Sequence, residues 1–324
     1  MALRCLAFAV ALCCWTLSAN AAGIQLLDSS PDLAGAIWYP CAGEPKAFPL
    51  GDLDVKADFG LKAVKDCPVT GAKLPLIVFS HGRGGWFGQH HDTVEALADA
   101  GFVVAAINHP GDTANDSSRR DTLSVLASRP VDIVRLIDFM LHDWKDKAAI
   151  DPARIGFFGF SNGAYTGLVL IGVQPDFARV ASLCSEQTGV CAQLHNGETP
   201  SAAVHDARIR AAIIVDPPPT LFTRDNLAAV KIPFQYWRSE RGGPGVGDGS
   251  GNARVAGSLP AETDIHAVPA GHFAFLAPCS PQLAAAVPRI CTDNPADFDR
   301  AAFHRDFNAS VVRFFRADLG DGVR

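Results

Sequence analysis

The stretch RIGFFGFSNGAYT, Arg154 to Thr166, limits what this chain can fold into more than any other segment. Ile155, Phe157 and Phe158 suit a short buried strand. Gly159-Phe160-Ser161-Asn162-Gly163 then turns sharply, and Ala164 to Val173 reads as a helix. Strand, G-x-S-x-G, helix is the context that presents a nucleophilic serine at the top of an α/β sheet. The glycines are needed because a serine on so tight a turn has strained backbone angles, and side chains two residues to either side would collide with neighbouring elements. The five residues alone also describe an ordinary turn, so a catalytic Ser161 requires partners from the rest of the chain.

The flanking sequence supplies a sheet. Leu74 to Ser80 (LPLIVFS) is a continuous apolar run of the buried parallel kind. Ala34 to Tyr39, Phe102 to Ile107, Ile209 to Val215, Ile232 to Trp237 and Thr263 to Val268 read as further strands, with another near Leu53 to Ala57. Thr93 to Ala100 reads as a helix closed by Gly101. Pro130 to Lys147 carries apolar residues at helical spacing, with Pro130 in its first turn. Phe298 to Leu319 closes the chain as a helix with Phe303, Phe307, Val311, Phe314 and Phe315 on one face. Pro175 to Asp206 reads as irregular, and Arg241 to Gly257, rich in Gly, Ser and Asp, as a mobile loop. Strands alternating with helices predict a mostly parallel central sheet with helices on both faces.

A serine hydroxyl is a poor nucleophile until a base takes its proton. The base belongs on a loop after the last strand, and His272, in Ala270-Gly271-His272-Phe273, follows that strand at once. The oxyanion formed on attack needs backbone N–H donors. Asn162, directly after the serine, supplies one, and the turn His81-Gly82-Arg83-Gly84-Gly85 supplies the other, at Arg83. Trp86, Phe87 and Phe160 flank these segments and are candidate pocket residues, with core packing an equal alternative for Phe160. No metal or cofactor is implied, since His90-His91 is poor ligand spacing for one helix face.

At 324 residues and 48% hydrophobic the chain can bury a large core, and a formal charge of -6 with no basic stripe argues against nucleic acid as a partner. Met1 to Ala22 reads as a signal peptide: Arg4 is its positive region, Cys5 to Leu17 its apolar run and Ala19-Asn20-Ala21 its cleavage site. Residues 23–324 then form a single domain, secreted or periplasmic, with no membrane span. Six cysteines remain, and their sequence-near grouping selects Cys41–Cys67, Cys184–Cys191 and Cys279–Cys291 from the fifteen possible pairings. Buried free thiols are the alternative.

The series LPLIVFSHGRGG, GFFGFSNGAYTG, IRAAIIVD and PAGHFAFLAPC resembles the secreted dienelactone-hydrolase-like α/β hydrolases of bacteria. These are similar to platelet-activating-factor acetylhydrolases and, more distantly, to cutinase and polyester hydrolases. The resemblance spans roughly Gly35 to Phe315. It implies an α/β-hydrolase fold of about eight strands and hydrolysis of small-molecule carboxylic esters, without implying dienelactone as substrate. The acid of the triad departs from the pattern. An aspartate is expected a few residues beyond the Ile232–Trp237 strand, where this chain reads Trp237-Arg238-Ser239-Glu240-Arg241-Gly242. Asp216, which ends the preceding strand as the acid does in similar acetylhydrolases, Glu240 and Asp248 all remain open. That departure also leaves open a non-catalytic binding protein on a hydrolase scaffold, and a serine peptidase shares the same fold.

Overall fold

The computed structural model describes residues 20–27, 33–48 and 59–320. Ten strands form one mixed sheet: β1 (Asn20–Leu27), β2 (Gly35–Ala42), β3 (Lys46–Ala47), β4 (Lys62–Lys65), β5 (Leu74–Ser80), β6 (Val103–Ile107), β7 (Ile150–Phe160), β8 (Ile209–Val215), β9 (Phe234–Ser239) and β10 (Asp264–Val268). Their order is β10-β9-β8-β7-β5-β6-β2-β1-β4-β3. From β10 across to β6 the strands run parallel, and β2 joins β6 antiparallel. Seven of these strands were expected, and β1 with the short edge strands β3 and β4 brings the number among the described residues to ten. The strand expected near Leu53 to Ala57 lies outside the described residues.

Among the described residues there are ten α-helices: α1 (His91–Asp99), α2 (Leu123–His142), α3 (Asn162–Leu170), α4 (Phe177–Leu183), α5 (Gly189–His195), α6 (Arg224–Leu227), α7 (Ser250–Ala256), α8 (Pro281–Ala286), α9 (Pro288–Cys291) and α10 (Arg300–Leu319). The core divides across the sheet. Ile133, Leu136, Ile137 and Met140 of α2 pack with Leu168 of α3 against one face, together with Leu76, Val78 and Phe157. Val94 and Leu97 of α1 pack with Phe307, Val311 and Phe315 of α10 against the other, together with Ile77, Phe79 and Phe158. Full burial of each such side chain contributes on the order of 2 kcal/mol. Phe303 and Phe314 are only partly buried and flank this layer.

Three elements differ from the sequence-based expectation. Helix α2 begins at Leu123, so Pro130 sits inside it and not in its first turn. Thr122 starts the helix by accepting from the Val125 N–H. The bond that proline cannot donate leaves the Leu126 carbonyl free, and the Tyr165 hydroxyl reaches it at 3.4 Å. The Gly-rich stretch expected as a mobile loop instead turns at 243–247 and carries α7. Within 175–206 lie the two short helices α4 and α5.

The register brings the carboxyl ends of the central strands to one edge. Ser80 aligns with Gly159, Phe160 with Val215, Val215 with Trp237, and Ser239 with Val268. Ligands of open α/β sheets bind at this edge.

Candidate active site

Ser161 is the residue between β7 and α3, with φ 55° and ψ −120°. That left-handed backbone is unusual for a side chain larger than glycine and is held from both sides. The Ser161 N–H donates to the Val215 carbonyl at 2.8 Å, and its own carbonyl begins the helix by accepting from Tyr165. The glycines on either side have a steric reason. A Cβ at Gly163 would lie 1.8 Å from the Ser80 carbonyl oxygen, and one at Gly159 would lie 2.3 Å from the Gly163 carbonyl oxygen. Glycine at 163 therefore lets α3 approach β5 this closely, and glycine at 159 lets the end of β7 lie against the start of α3.

Asp216 follows β8 directly, also at positive φ (49°), and is fully buried. Its Oδ2 lies 2.7 Å from His272 Nδ1 and accepts from the Ser239 hydroxyl at 2.6 Å. Its Oδ1 accepts from the Ser239 N–H at 3.0 Å and from Asn252 Nδ2 at 2.8 Å. Four donors thus meet the four acceptor positions of one carboxylate. The Tyr236 hydroxyl bonds Asn252 Oδ1 at 2.7 Å and fixes the amide in turn. Glu240 and Asp248 are placed elsewhere. The Glu240 side chain is about half exposed (47%) and lies 3.8 Å from Arg238 Nη2, while Asp248 accepts from the N–H and hydroxyl of Ser250.

His272 is buried at 3% exposure. Its N–H donates to the Gly242 carbonyl at 2.7 Å, and its ring stacks on Phe160, centroids 4.5 Å apart. Gly243 leaves room for it, since a Cβ there would come within 2.8 Å of His272 Cβ. With Nδ1 donating to Asp216, the neutral imidazole presents Nε2 as its free base. Ser161 and His272 line one cavity of about 420 Å³, walled by Phe59, Trp86, Phe160, Phe273, Leu283 and Val287. Phe87, in contrast, is fully buried in the core.

The turn after β5 brings Arg83 to the same cavity. The Gly84 N–H is taken by Asp112 Oδ1 at 2.8 Å and the Gly85 N–H by the Gly82 carbonyl at 3.1 Å. The Arg83 N–H has no partner among the described residues, and its side chain pairs with Asp121. Asn162, as the first residue of α3, has an N–H that the helix leaves unpaired. Below the turn, the His109 N–H donates to His81 Nε2 at 3.0 Å, so His81 Nδ1 carries the proton given to the Gly82 carbonyl. Burial, with Arg129 beside it, holds the pKa of His81 well below its ordinary value.

Cys41–Cys67, Cys184–Cys191 and Cys279–Cys291 are bonded. Cys184, Glu186 and Cys191 gather ligand-type atoms, but the two sulfurs are bonded to each other and are not thiolates. His90 and His91 do not converge either. His90 is caged by Phe79, Phe158 and Phe160, and His91 meets Glu95. Among the described residues, no helix is long and apolar enough to cross a membrane. Ser239, Asn252 and Tyr236 escaped the sequence reading. Only the position of Ser239 at a strand end could have signalled its part.

A mostly parallel mixed sheet covered on both faces, with a serine turn and a histidine loop at its carboxyl edge, is the α/β-hydrolase fold. Residues 59–129, which include the turn after β5, match the family of platelet-activating factor acetylhydrolase, isoform II. Across the whole chain the fold is similar to a ferulic acid esterase from Streptomyces cinnamoneus, with a TM-score of 0.59 at 19% identity, covering 94% of this chain and 91% of that one. No curated protein matches the sequence.

Proposed function

We propose that the protein is a serine esterase that cleaves carboxylic esters of small molecules through an acyl-enzyme. The observation that carries this reading is the Asp216–His272 pair standing over the cavity that Ser161 also lines. The acetylhydrolase match and the esterase-like fold point the same way.

In this reading Ser161 attacks the ester carbonyl while His272 Nε2 takes the hydroxyl proton. Asp216 holds the imidazole in the productive tautomer and stabilises the imidazolium as it forms. The N–H groups of Arg83 and Asn162 stabilise the oxyanion, in a setting where a single donor contributes about 3 kcal/mol to the barrier. His272 then protonates the leaving alcohol, and water hydrolyses the acyl-enzyme by the same route. The aromatic wall suits an apolar acyl or alcohol group.

A non-catalytic binding protein on the same scaffold would leave the triad acid without a function, whereas the four donors gathered on Asp216, His272 among them, support the enzyme reading. Export belongs to the same reading, supported by the three disulfides. Processing after Ala22 would leave Gly23–Leu27 to pair with Gly35–Tyr39 in the sheet.

Turnover of p-nitrophenyl acetate and butyrate, compared with p-nitroanilide peptides, tests the proposal. Ester turnover that exceeds amide turnover supports it. Amide turnover above ester turnover indicates a peptidase, and no turnover of either kind contradicts an enzyme at this site.

A further inference from the structure

Arg129 lies in α2, outside the reacting groups, with no exposure to solvent. Its guanidinium reaches two segments at once. Nη1 donates to Asp112 Oδ2 at 2.7 Å, and Asp112 Oδ1 in turn accepts from the Gly84 N–H at 2.8 Å. Nη2 donates to the His81 carbonyl. These bonds hold the turn on both sides of Arg83. Nε donates to Thr166 Oγ1 at 3.3 Å, and that hydroxyl donates to the Asn162 carbonyl at 2.9 Å. The third arm therefore ends on the first turn of the helix that begins with Asn162.

The fork thus ties together the two backbone segments that carry Arg83 and Asn162, both of which line the cavity with Ser161. Burying an arginine and an aspartate together gives little net stability compared with apolar packing, because desolvation offsets their attraction. What a planar guanidinium provides is a fixed set of donor directions, which the single ammonium of lysine cannot reproduce.

We propose that Arg129 is a positioning residue for ester hydrolysis, setting the separation of the two oxyanion donors, Arg83 N–H and Asn162 N–H. This rests on the reading of Ser161 as the nucleophile. Arg129 touches no reacting atom. Its effect falls on the transition state, where the oxyanion exists, and not on the binding of the ground-state ester.

The test uses Arg129→Lys and the milder Thr166→Val, which removes only the link toward Asn162. Each is assayed with a p-nitrophenyl ester after active-site titration and a melting curve. Each is also assayed with a trifluoromethyl ketone, whose tetrahedral adduct carries the oxyanion. The expected result is a kcat lower by about tenfold in Thr166→Val and about a hundredfold in Arg129→Lys, the latter at the lower end of the roughly 10²–10³ lost with a whole oxyanion donor and the former below it. KM should change by less than about twofold, and the ketone should weaken in parallel with kcat. Folded variants that keep wild-type kcat overturn the proposal. So do losses that follow only the titrated fraction of active sites while ketone affinity is unchanged. An inactive wild type overturns the reading of Ser161 and this proposal with it, so the two failures are distinguishable.

Discussion

Asp216 Oδ2 and His272 Nδ1 lie 2.7 Å apart across 56 residues of sequence, and both side chains are shut away from solvent. The contact forms because β8 ends at the carboxyl edge one strand from Ser161, and the loop after β10 folds back over it. The expected consequence is that Asp216→Asn lowers kcat by about 10³–10⁴-fold, through loss of the productive tautomer. Glu240→Gln should stay within about twofold of wild type, since its side chain is half exposed and 3.8 Å from Arg238. Steady-state kinetics on one p-nitrophenyl ester separates the two. Equal losses in both variants would contradict the assignment of Asp216.

Gly163 is predicted to tolerate no side chain. An alanine Cβ would lie 1.8 Å from the Ser80 carbonyl oxygen, which is backbone and cannot swing away. Gly163→Ala should push α3 from β5, lower the melting temperature by several degrees and abolish most activity. A control, Gly101→Ala, meets nothing within 4 Å but sits at φ 100°, so it should cost stability through backbone strain while sparing kcat.

Stability should fall on mild acidification. Burial holds His90 at about 3 and keeps His81 and His109 well below the ordinary value of 6.5. A histidine with a depressed folded pKa stays neutral in the native state while the unfolded chain takes up protons below pH 6.5, so native stability drops as pH falls. Each contributes about 1.4 kcal/mol per pH unit. Asp132 has the opposite sign. Burial raises it to about 6, so the native state takes up its proton first on acidification and offsets one such contribution below that pH. His91, raised by its contact with Glu95 against the effect of burial, also opposes. Urea unfolding should show a lower midpoint at pH 5.5 than at pH 7.5. His90→Leu should flatten this dependence, because both His90 ring nitrogens lack partners among the described residues. An unchanged slope in that variant would contradict the role given to His90.

The Cys279–Cys291 bond closes a loop that holds α8 and α9, and Leu283 of α8, Val287 between the helices and Ile290 of α9 line the cavity. Replacing both cysteines by alanine should cost about 3 kcal/mol of stability by the loop-entropy estimate. It should also raise KM severalfold while kcat changes by less than about twofold, since the wall loosens but the reacting groups stay. A kcat loss with constant KM would place this loop in the chemistry instead.

Much of the fold was legible because it depends on local pattern. LPLIVFS is buried on both faces and has no alternation to misread, and the serine turn follows from two glycines that sterics demand. The limits of α2 were not legible: proline discourages a helix interior, yet a threonine cap and the Tyr165 hydroxyl offset the missing donor. Asn252 could not have been read at all. It lies on a helix in a glycine-rich segment of poor helix propensity, and its bond to Asp216 exists only once β8 and β9 are paired. Arg129 was hidden for the same reason, because its partners come from three separate stretches of chain.

The most direct test is labelling with a fluorophosphonate, which phosphonylates activated serines with loss of fluoride, followed by peptide mass mapping. The account predicts one label per chain, on the peptide that contains Ser161. That label should disappear in Ser161→Ala and form far more slowly in His272→Ala. Ester hydrolysis by a preparation that takes up no label, or takes it up at another residue, would contradict Ser161 as the nucleophile.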